Sequence, residues 1–493
     1  MLSFVAVSLL VGCPDRSIDK VTPLQGRVEA KDIPVTVNRD VDLLFLIDDS
    51  PSMADKQANL ARNFGEFIKV LSTIEGGLPN IHIGVVTSDM GTRDSTNKQA
   101  PGIGTLGQGG CSGLGKNGGM QLFGAPVNGP FISDIGQPDG SRQRNYPVDP
   151  TASPEVQLNQ LAEVFGTMAR AGAGGCGFEQ HLEAMKKALD PSPAGNPTND
   201  NFLRPNAFLA VVFIVDEDDC SMSDTSMLAE NAALGPQQSF RCTRFGVTCD
   251  DNGATPDAMN VVGPKDKCHP NEDSPYLTKV SEYVTFLKGL KPDDPGKVIV
   301  AGIMGTNTPV ATELRAPPRS NDKIPALAHS CTYIGADGKA EVADPPIRLK
   351  FFLDQFPNRS TFASICQPDL TGALQQIGDL LKTVIGNPCI EGKLADVDPA
   401  TPEPDFDCSV SSVTSPTGAN RTETILARCP AGGGAASDPP CWQLVLDEPV
   451  GGVYLKCPLS EHYLLKVERQ DTLPPDTHIV ANCVTQVDAG DED

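Results

Sequence analysis

Val41-Asp42-Leu43-Leu44-Phe45-Leu46-Ile47-Asp48-Asp49-Ser50-Pro51-Ser52 opens the ordered part of this chain. Apart from Asp42, its first seven residues are apolar. A strand with one wet face alternates apolar and polar side chains. A nearly unbroken apolar run suits a strand covered on both faces, as in a parallel sheet. The run stops abruptly in two carboxylates and two hydroxyls. Leu60, Phe64, Phe67, Ile68 and Leu71 then recur at helical spacing and predict a helix with one apolar face. Ile81–Thr87 reads as a second buried strand, ending in Ser88-Asp89. Strand, helix, strand is a βαβ unit, so the predicted class is α/β: a central, mostly parallel sheet with helices on both faces.

The same rhythm continues outward with two interruptions. Residues 90–150 are Gly-rich and polar, carry Cys111, and read as a loop insertion. Ser153-Pro154 restarts order as N-cap and first helical residue, and Val156, Leu161, Val164, Phe165 and Met168 give the apolar face. A Gly-rich turn, Gly172 to Gly177, leads to a helix over Phe178–Leu189. Ala207–Val215 is the most apolar strand and ends in Asp216-Glu217-Asp218-Asp219-Cys220. A second insertion, about 222–272, holds Cys242, Cys249 and Cys268. Helix Tyr276–Leu290, strand Lys297–Ile303, a Pro-rich loop with Cys331 and a helix within 362–385 complete an α/β domain over 39–388. From 389 to 486 short β-like segments such as Trp442–Leu446, Tyr463–Val467 and His478–Cys483 predict a small Cys-rich β domain. Residues 487–493 form an acidic tail that reads as solvated.

Composition narrows the function. Among 493 residues, 63 Asp and Glu face 39 Lys and Arg, a net charge of −24, and no run of five basic residues exists. That speaks against binding a nucleic-acid backbone, which needs clustered cations. The 15 cysteines contain no Cys-x-x-Cys pair, so zinc spacing is absent. Oxidised cysteines in an exported protein are the expectation, with one left over. Residues 2–12 are an apolar run, too short to span a membrane, which takes about 20 residues, and they fit the core of a signal peptide. No Lys or Arg precedes them. Leu10-Val11-Gly12-Cys13 resembles a bacterial lipobox. The resemblance implies a lipoprotein signal peptide over 1–12, acylation of Cys13, a tether over 13–38, and a lipid-anchored place in the bacterial cell envelope, at the outer membrane or cell surface. The other 14 cysteines divide as eight in the α/β part and six beyond it, so each part can close its own bridges.

The chemistry gathers where strands end. In a parallel α/β sheet, ligands bind beyond the carboxyl ends of the strands. Asp48, Asp89 and Asp216 each follow a buried strand. Carboxylate and hydroxyl oxygens collected there suit a hard divalent cation. Asp48, Ser50 and Ser52 match the Asp-x-Ser-x-Ser signature of von Willebrand factor A (vWA) domains, and the likeness extends across about 39–388 with its two insertions. It implies a metal-ion-dependent adhesion site (MIDAS) for Mg²⁺ or Ca²⁺. Ser50 and Ser52 would coordinate directly, with Asp48 and Asp216 in direct or water-mediated contact. Asp216 stands in Val-Asp-Glu where the family usually has Thr-Asp-Gly, and Glu179 falls nearest the family's second-loop Thr. A carboxylate there would add negative charge and favour Ca²⁺ or tighter binding; the other reading leaves the second loop without a ligand. The residues by themselves also allow Ser50 or Ser52 to be a plain helix cap. Cys176 and Cys220 flank the two later loops and are expected to pair, with Cys111 competing for either.

The resemblance implies a non-enzymatic binding module. Its bound cation would take an acidic side chain from a protein partner in its open position. Two other readings compete: an exported metal-dependent hydrolase using a metal-bound water, and a structural envelope protein whose metal stabilises the fold. Asp216, Asp218 and Asp219 with Asp250 and Asp251 suggest either an accessory Ca²⁺ site or a solvated acidic loop. Gly110 to Lys116 mimics P-loop spacing, but Asn117 follows and no strand precedes. His269 and His329 lie in loops with no zincin or nucleophile-elbow motif around them. Trp442, next to Cys441, reads as core of the small β domain.

Overall fold

The computed structural model describes residues 28–31, 39–74, 77–137, 140–292, 295–317, 321–386, 390, 394–396, 400, 405–414, 421–430, 440–446, 462–468 and 477–486. Cys13, the expected signal peptide, the acidic tail, Cys389 and Cys457 lie outside them.

A seven-stranded sheet forms the centre. Its strands in chain order are β1 (Asp40–Ile47), β2 (Asn80–Val86), β3 (Ile132–Gly136), β4 (Arg142–Arg144), β5 (Phe208–Ile214), β6 (Val298–Met304) and β7 (Ser360–Ser364). The spatial order is β7-β6-β5-β1-β2-β3-β4. The first five of these run parallel, and β3 and β4 close the far edge antiparallel. Side chains alternate faces along a strand. Val41, Leu43, Phe45 and Ile47 therefore enter one core with helices α1 (Ala54–Ser72), α2 (Pro154–Met168) and α6 (Thr371–Gly386). Leu44 and Leu46 enter the other, with α3 (His181–Leu189), α4 (Val280–Gly289) and α5 (Ile347–Asp354). Phe45 is the hub of the first core, 4.7 Å from Phe165 and 5.6 Å from Phe64 between ring centroids. Ser153 caps α2 through Val156 N, with Pro154 next. This is the α/β architecture that β1 announces, a mostly parallel sheet with helices on both faces. No helix among the described residues is long and apolar enough to cross a membrane.

Both insertions are more ordered than their composition suggests. The first supplies β3 and β4, held by the buried Asp134 carboxylate. It takes Arg142 Nε at 2.6 Å, Arg144 Nε at 3.1 Å and Tyr146 OH at 2.5 Å. The second supplies a short helix, Phe240–Gly246, and strands Val247–Asp251 and Gly263–Pro270. These join Val310–Arg315 and Ile324–Leu327 in a four-stranded antiparallel sheet. Polar strands in small sheets lack the long apolar run that marks β1, which is why composition read them as loop.

The segment read as a tether also departs from expectation. Val28–Lys31 is a strand, antiparallel to Thr477–Gln486, at the edge of a six-stranded C-terminal sheet. A free edge offers unpaired backbone groups that a further strand satisfies. Trp442 is buried in this sheet's core with Val410, Leu426 and Ile479, and its Nε1 donates to Leu426 O at 3.1 Å.

Candidate metal centre

Strand register builds the site. Ile47 pairs with Ile214, so β1 and β5 end level, and Asp48 N donates to Ile214 O at 3.0 Å. The chain leaves β1 toward β2 on one side and β5 toward β6 on the other, so this is the sheet's topological switch point. Asp48 and Asp216 follow these two strands and are buried. Asp48 Oδ1 accepts from Ser50 N at 2.7 Å and from Ser88 Oγ at 3.2 Å. Ser50 Oγ lies 3.2 Å from Asp48 Oδ2 and 3.0 Å from Ser52 Oγ. Ser52 Oγ lies 3.1 Å from Asp216 Oδ1.

Asp48, Ser50, Ser52 and Asp216 thus form a chain of side-chain oxygens in steps of 3.2, 3.0 and 3.1 Å. Neighbouring oxygens around an octahedral Mg²⁺, with bonds of about 2.0–2.1 Å, are about 2.9 Å apart, so this spacing suits its donor shell. Helix capping does not account for the hydroxyls. Ser50 precedes the turn Pro51–Met53 without a side-chain cap bond, and α1 begins without one as well. Among the described residues, no three His, Cys, Asp or Glu side chains converge closely enough to hold an ion by themselves. Any ion here needs the serine hydroxyls.

The electrostatics are those of carboxylates crowded without enough positive charge. Burial, then the neighbouring Asp216, pushes the Asp48 carboxyl well above its usual range. Burial raises Asp216 too, against the pull of Lys56. Lys56, in the first turn of α1, places its ammonium 3.0 Å from Asp216 Oδ2 and 3.3 Å from Glu341 Oε2. Burial works against its charge, but Asp216 and Glu341 hold the proton more firmly than usual.

Glu179 lies outside the chain of oxygens. It is 1% exposed, and its Oε1 has no hydrogen-bond partner among the described residues. Burial first, then Glu217 and Asp48, drive its pKa far upward. Burying a carboxylate unpaired is costly, so this is a group awaiting a proton or a cation. Helix α3 starts at His181 rather than Phe178, because Gln180 N bonds Ser88 O at 3.0 Å and keeps this stretch extended. His181 is also buried with both ring nitrogens unpartnered, Nε2 4.0 Å from Asp48 Oδ2, and burial lowers its pKa to about 4.

The second loop is fastened over the first. Gly175 N donates to Asp49 O at 2.7 Å, and a Cβ on Gly175 would stand 2.4 Å from Asp49 Oδ1. Gln57 Nε2 reaches both Asp48 O and Gly172 O at 2.8 Å. Here the cysteine expectation is corrected: Cys176 pairs with Cys111, and Cys220 pairs with Cys242. The first insertion folds back so that Gly109 bridges Cys176 and Gly177 N meets Gly109 O at 3.0 Å. That puts Cys111, not Cys220, beside Cys176. Cys249–Cys268 and Cys331–Cys366 complete the eight of the α/β part, and Cys408–Cys483 and Cys429–Cys441 lie in the C-terminal sheet. A cleft of about 590 Å³ opens above the site, lined among others by Ser50, Ser52, Gln108, Glu179, Glu217 and His329.

The second acidic cluster does not form. Asp218 accepts from Arg348 N and Leu349 N at the start of α5, at 2.9 and 3.1 Å. Asp219 pairs with the buried Arg348 at 3.1 Å and takes Leu182 N at 2.9 Å. Both are internal struts, whereas Asp250 and Asp251 are exposed on a hairpin strand. Asp89 turns to its own loop, accepting Gly91 N at 2.9 Å. Lys116, the lysine of the P-loop mimic, is tied to the Asp49 carboxylate. His329 Nδ1 lies 2.6 Å from Asp344 Oδ1. Among the described residues, no serine hydroxyl bonds either His329 or His269. Sequence reasoning missed Ser88, Lys56, Glu217, Glu341 and Asp344. Ser88 and Glu217 carried a local signal as neighbours of strand-end aspartates, and Lys56 as the residue four beyond Ser52; Glu341 and Asp344 carried none.

No protein-family model matches the sequence, and no curated protein matches it. Among solved structures the chain is similar to a von Willebrand factor type A protein from Catenulispora acidiphila, at 10% identity and a TM-score of 0.28, covering 92% of this chain and 59% of that one. It is also similar to the pilus adhesin SpaC from Lactobacillus rhamnosus GG, at 11% identity and a TM-score of 0.27, covering 92% and 40%. The pilus adhesin RrgA from Streptococcus pneumoniae matches at 12% identity and a TM-score of 0.27, covering 91% and 57%. The chain therefore spans less than two thirds of the length of each.

Proposed function

We propose that this chain is a binding protein of the bacterial cell envelope, lipid-anchored through Cys13, whose vWA-like domain engages a protein partner through a divalent cation. The observation that carries the metal reading is the run of oxygens from Asp48 through Ser50 and Ser52 to Asp216, with hydroxyls spent on no helix cap; the anchor rests on the sequence around Cys13. Asp48, Ser50, Ser52 and Asp216 would hold the ion, Mg²⁺ or Ca²⁺, both of which take oxygen ligands. When bound, the cation supplies a Lewis-acidic position for a carboxylate from the partner. The chain's own residues arrange that encounter. Asp48 orients Ser50 through its backbone N–H, and Ser88 fixes the other side of the same carboxylate. Glu179 and Glu217 line the approach, and burial beside other carboxylates favours their protonated forms in the absence of the ion, so neither offers an acidic partner a countercharge. Binding is thereby made conditional on the metal.

Mn²⁺ is a suitable probe. Saturable Mn²⁺ binding, followed by electron paramagnetic resonance, is expected for the full chain. It should be displaced by Mg²⁺ and lost in Ser50→Ala/Ser52→Ala. Water-proton relaxation by the bound Mn²⁺ should fall when a Glu-containing peptide is added. Mn²⁺ uptake that is absent from the wild type, or unchanged in the double variant, refutes the proposal.

A further inference from the structure

Lys56 is the feature of this centre that a metal-binding role by itself leaves unexplained. Its side chain is 1% exposed and folds back against the first loop. Nζ donates to Ser52 O at 3.0 Å and lies 3.0 Å from Asp216 Oδ2 and 3.3 Å from Glu341 Oε2. It thus joins three separate parts of the chain: the loop after β1, the loop after β5, and the hairpin Cys331–Ile334/Ala340–Ala343. Among the described residues it is the cation paired with Asp216. The two oxygens of Asp216 are divided: Oδ1 goes to Ser52 Oγ and Oδ2 to Lys56.

Two consequences follow from charge and geometry. Without a divalent ion, Asp48, Asp216, Glu179 and Glu217 crowd one another at low dielectric, and a fixed ammonium adds a second tie between Ser52 and Asp216 beside their direct hydrogen bond. With a divalent ion, the same ammonium is a like charge nearby and occupies an oxygen that the ion could otherwise use. Resting on the metal reading above, we propose that Lys56 is a built-in counter-cation. It is a positioning residue that keeps the site assembled when the divalent ion is absent and holds the ion's affinity down, so that loading is reversible.

The test uses the full chain with Mn²⁺ and Mg²⁺ as probes. Lys56→Met is expected to bind Mn²⁺ at least about tenfold more tightly than wild type, since a unit charge a few ångströms from the ion is removed. Its melting temperature should fall in EDTA and recover in Mg²⁺, because an ion that binds the folded form restores stability by mass action. Lys56→Arg, which keeps the charge, should stay close to wild type in both measurements. Recovery of folded Lys56→Met only in the presence of Mn²⁺ would also support the proposal. Lys56→Met that binds Mn²⁺ no more tightly than wild type overturns it and leaves the metal centre standing. So does Lys56→Met that stays unfolded even in saturating Mn²⁺. If wild type and Lys56→Met both fold and neither takes up Mn²⁺, the metal centre falls as well.

Discussion

Arg348→Met tests how the loops of the centre are braced from behind. Arg348 is completely buried and does not line the cleft. Its Nε and Nη2 lie 3.2 and 3.1 Å from Asp219 Oδ2, and Nη2 also donates to Thr278 O at 2.8 Å. Asp219 in turn accepts from Leu182 N at 2.9 Å and from Ser221 Oγ at 2.6 Å. One ion pair therefore joins α5, the loop after β5 and the start of α3, two residues beyond Glu179. Methionine fills the arginine stem and leaves little cavity, so the effect is mainly the stranded charge. Removing one partner of a buried pair costs about 3–5 kcal/mol. With a urea m-value of about 3 kcal/mol/M, the midpoint by far-ultraviolet circular dichroism should fall by about 1–1.7 M. Trp442 fluorescence reports on the C-terminal sheet and should shift little. Arg348→Met/Asp219→Asn removes the stranded charge and should regain about half of the loss. A loss under about 1 kcal/mol in the single variant, or a double variant no more stable than it, would refute the reasoning.

In EDTA, stability should fall as pH rises from about 4 toward neutrality. The folded-state pKa values of Asp48, Glu179 and Glu217 lie above their ordinary ones, and Asp218 is pushed up to about 7. The folded form therefore holds more protons across that window and loses the advantage as they dissociate. Glu179→Gln should flatten the melting-temperature profile and be the more stable protein at pH 8; a less stable variant there contradicts the buried, unpaired carboxylate. Gly175→Ala should destabilise by about 1–3 kcal/mol by forcing the second loop off Asp49, measurable as a lower urea midpoint, and full stability would contradict the close packing. Non-reducing peptide mapping should recover Cys111–Cys176 and Cys220–Cys242, and a Cys176–Cys220 peptide would contradict the loop arrangement.

The fold class and the first loop were legible because their causes are local. An apolar run covered on both faces reads as β1 from its own residues, and Asp48, Ser50 and Ser52 follow it directly. Asp216 was legible for the same reason at the end of β5. The insertion strands were not, because Arg142, Arg144 and Tyr146 are polar until Asp134 gives them a buried partner. The second acidic cluster looked like a metal site or a wet loop because Asp218 and Asp219 are adjacent in sequence. Arg348, about 130 residues later, makes them struts.

Sequence alone determined which side chains stand at strand ends, and that 14 cysteines could pair within two regions. Tertiary structure decided which of them meet. The register of Ile47 with Ile214 brings Asp216 to Ser52, the fold of the first insertion gives Cys176 to Cys111, and the hairpin delivers Glu341 to Lys56. Such partners are selected by packing and by the need to neutralise buried charge. Those demands act between segments far apart in the chain, where no local pattern of residues encodes them.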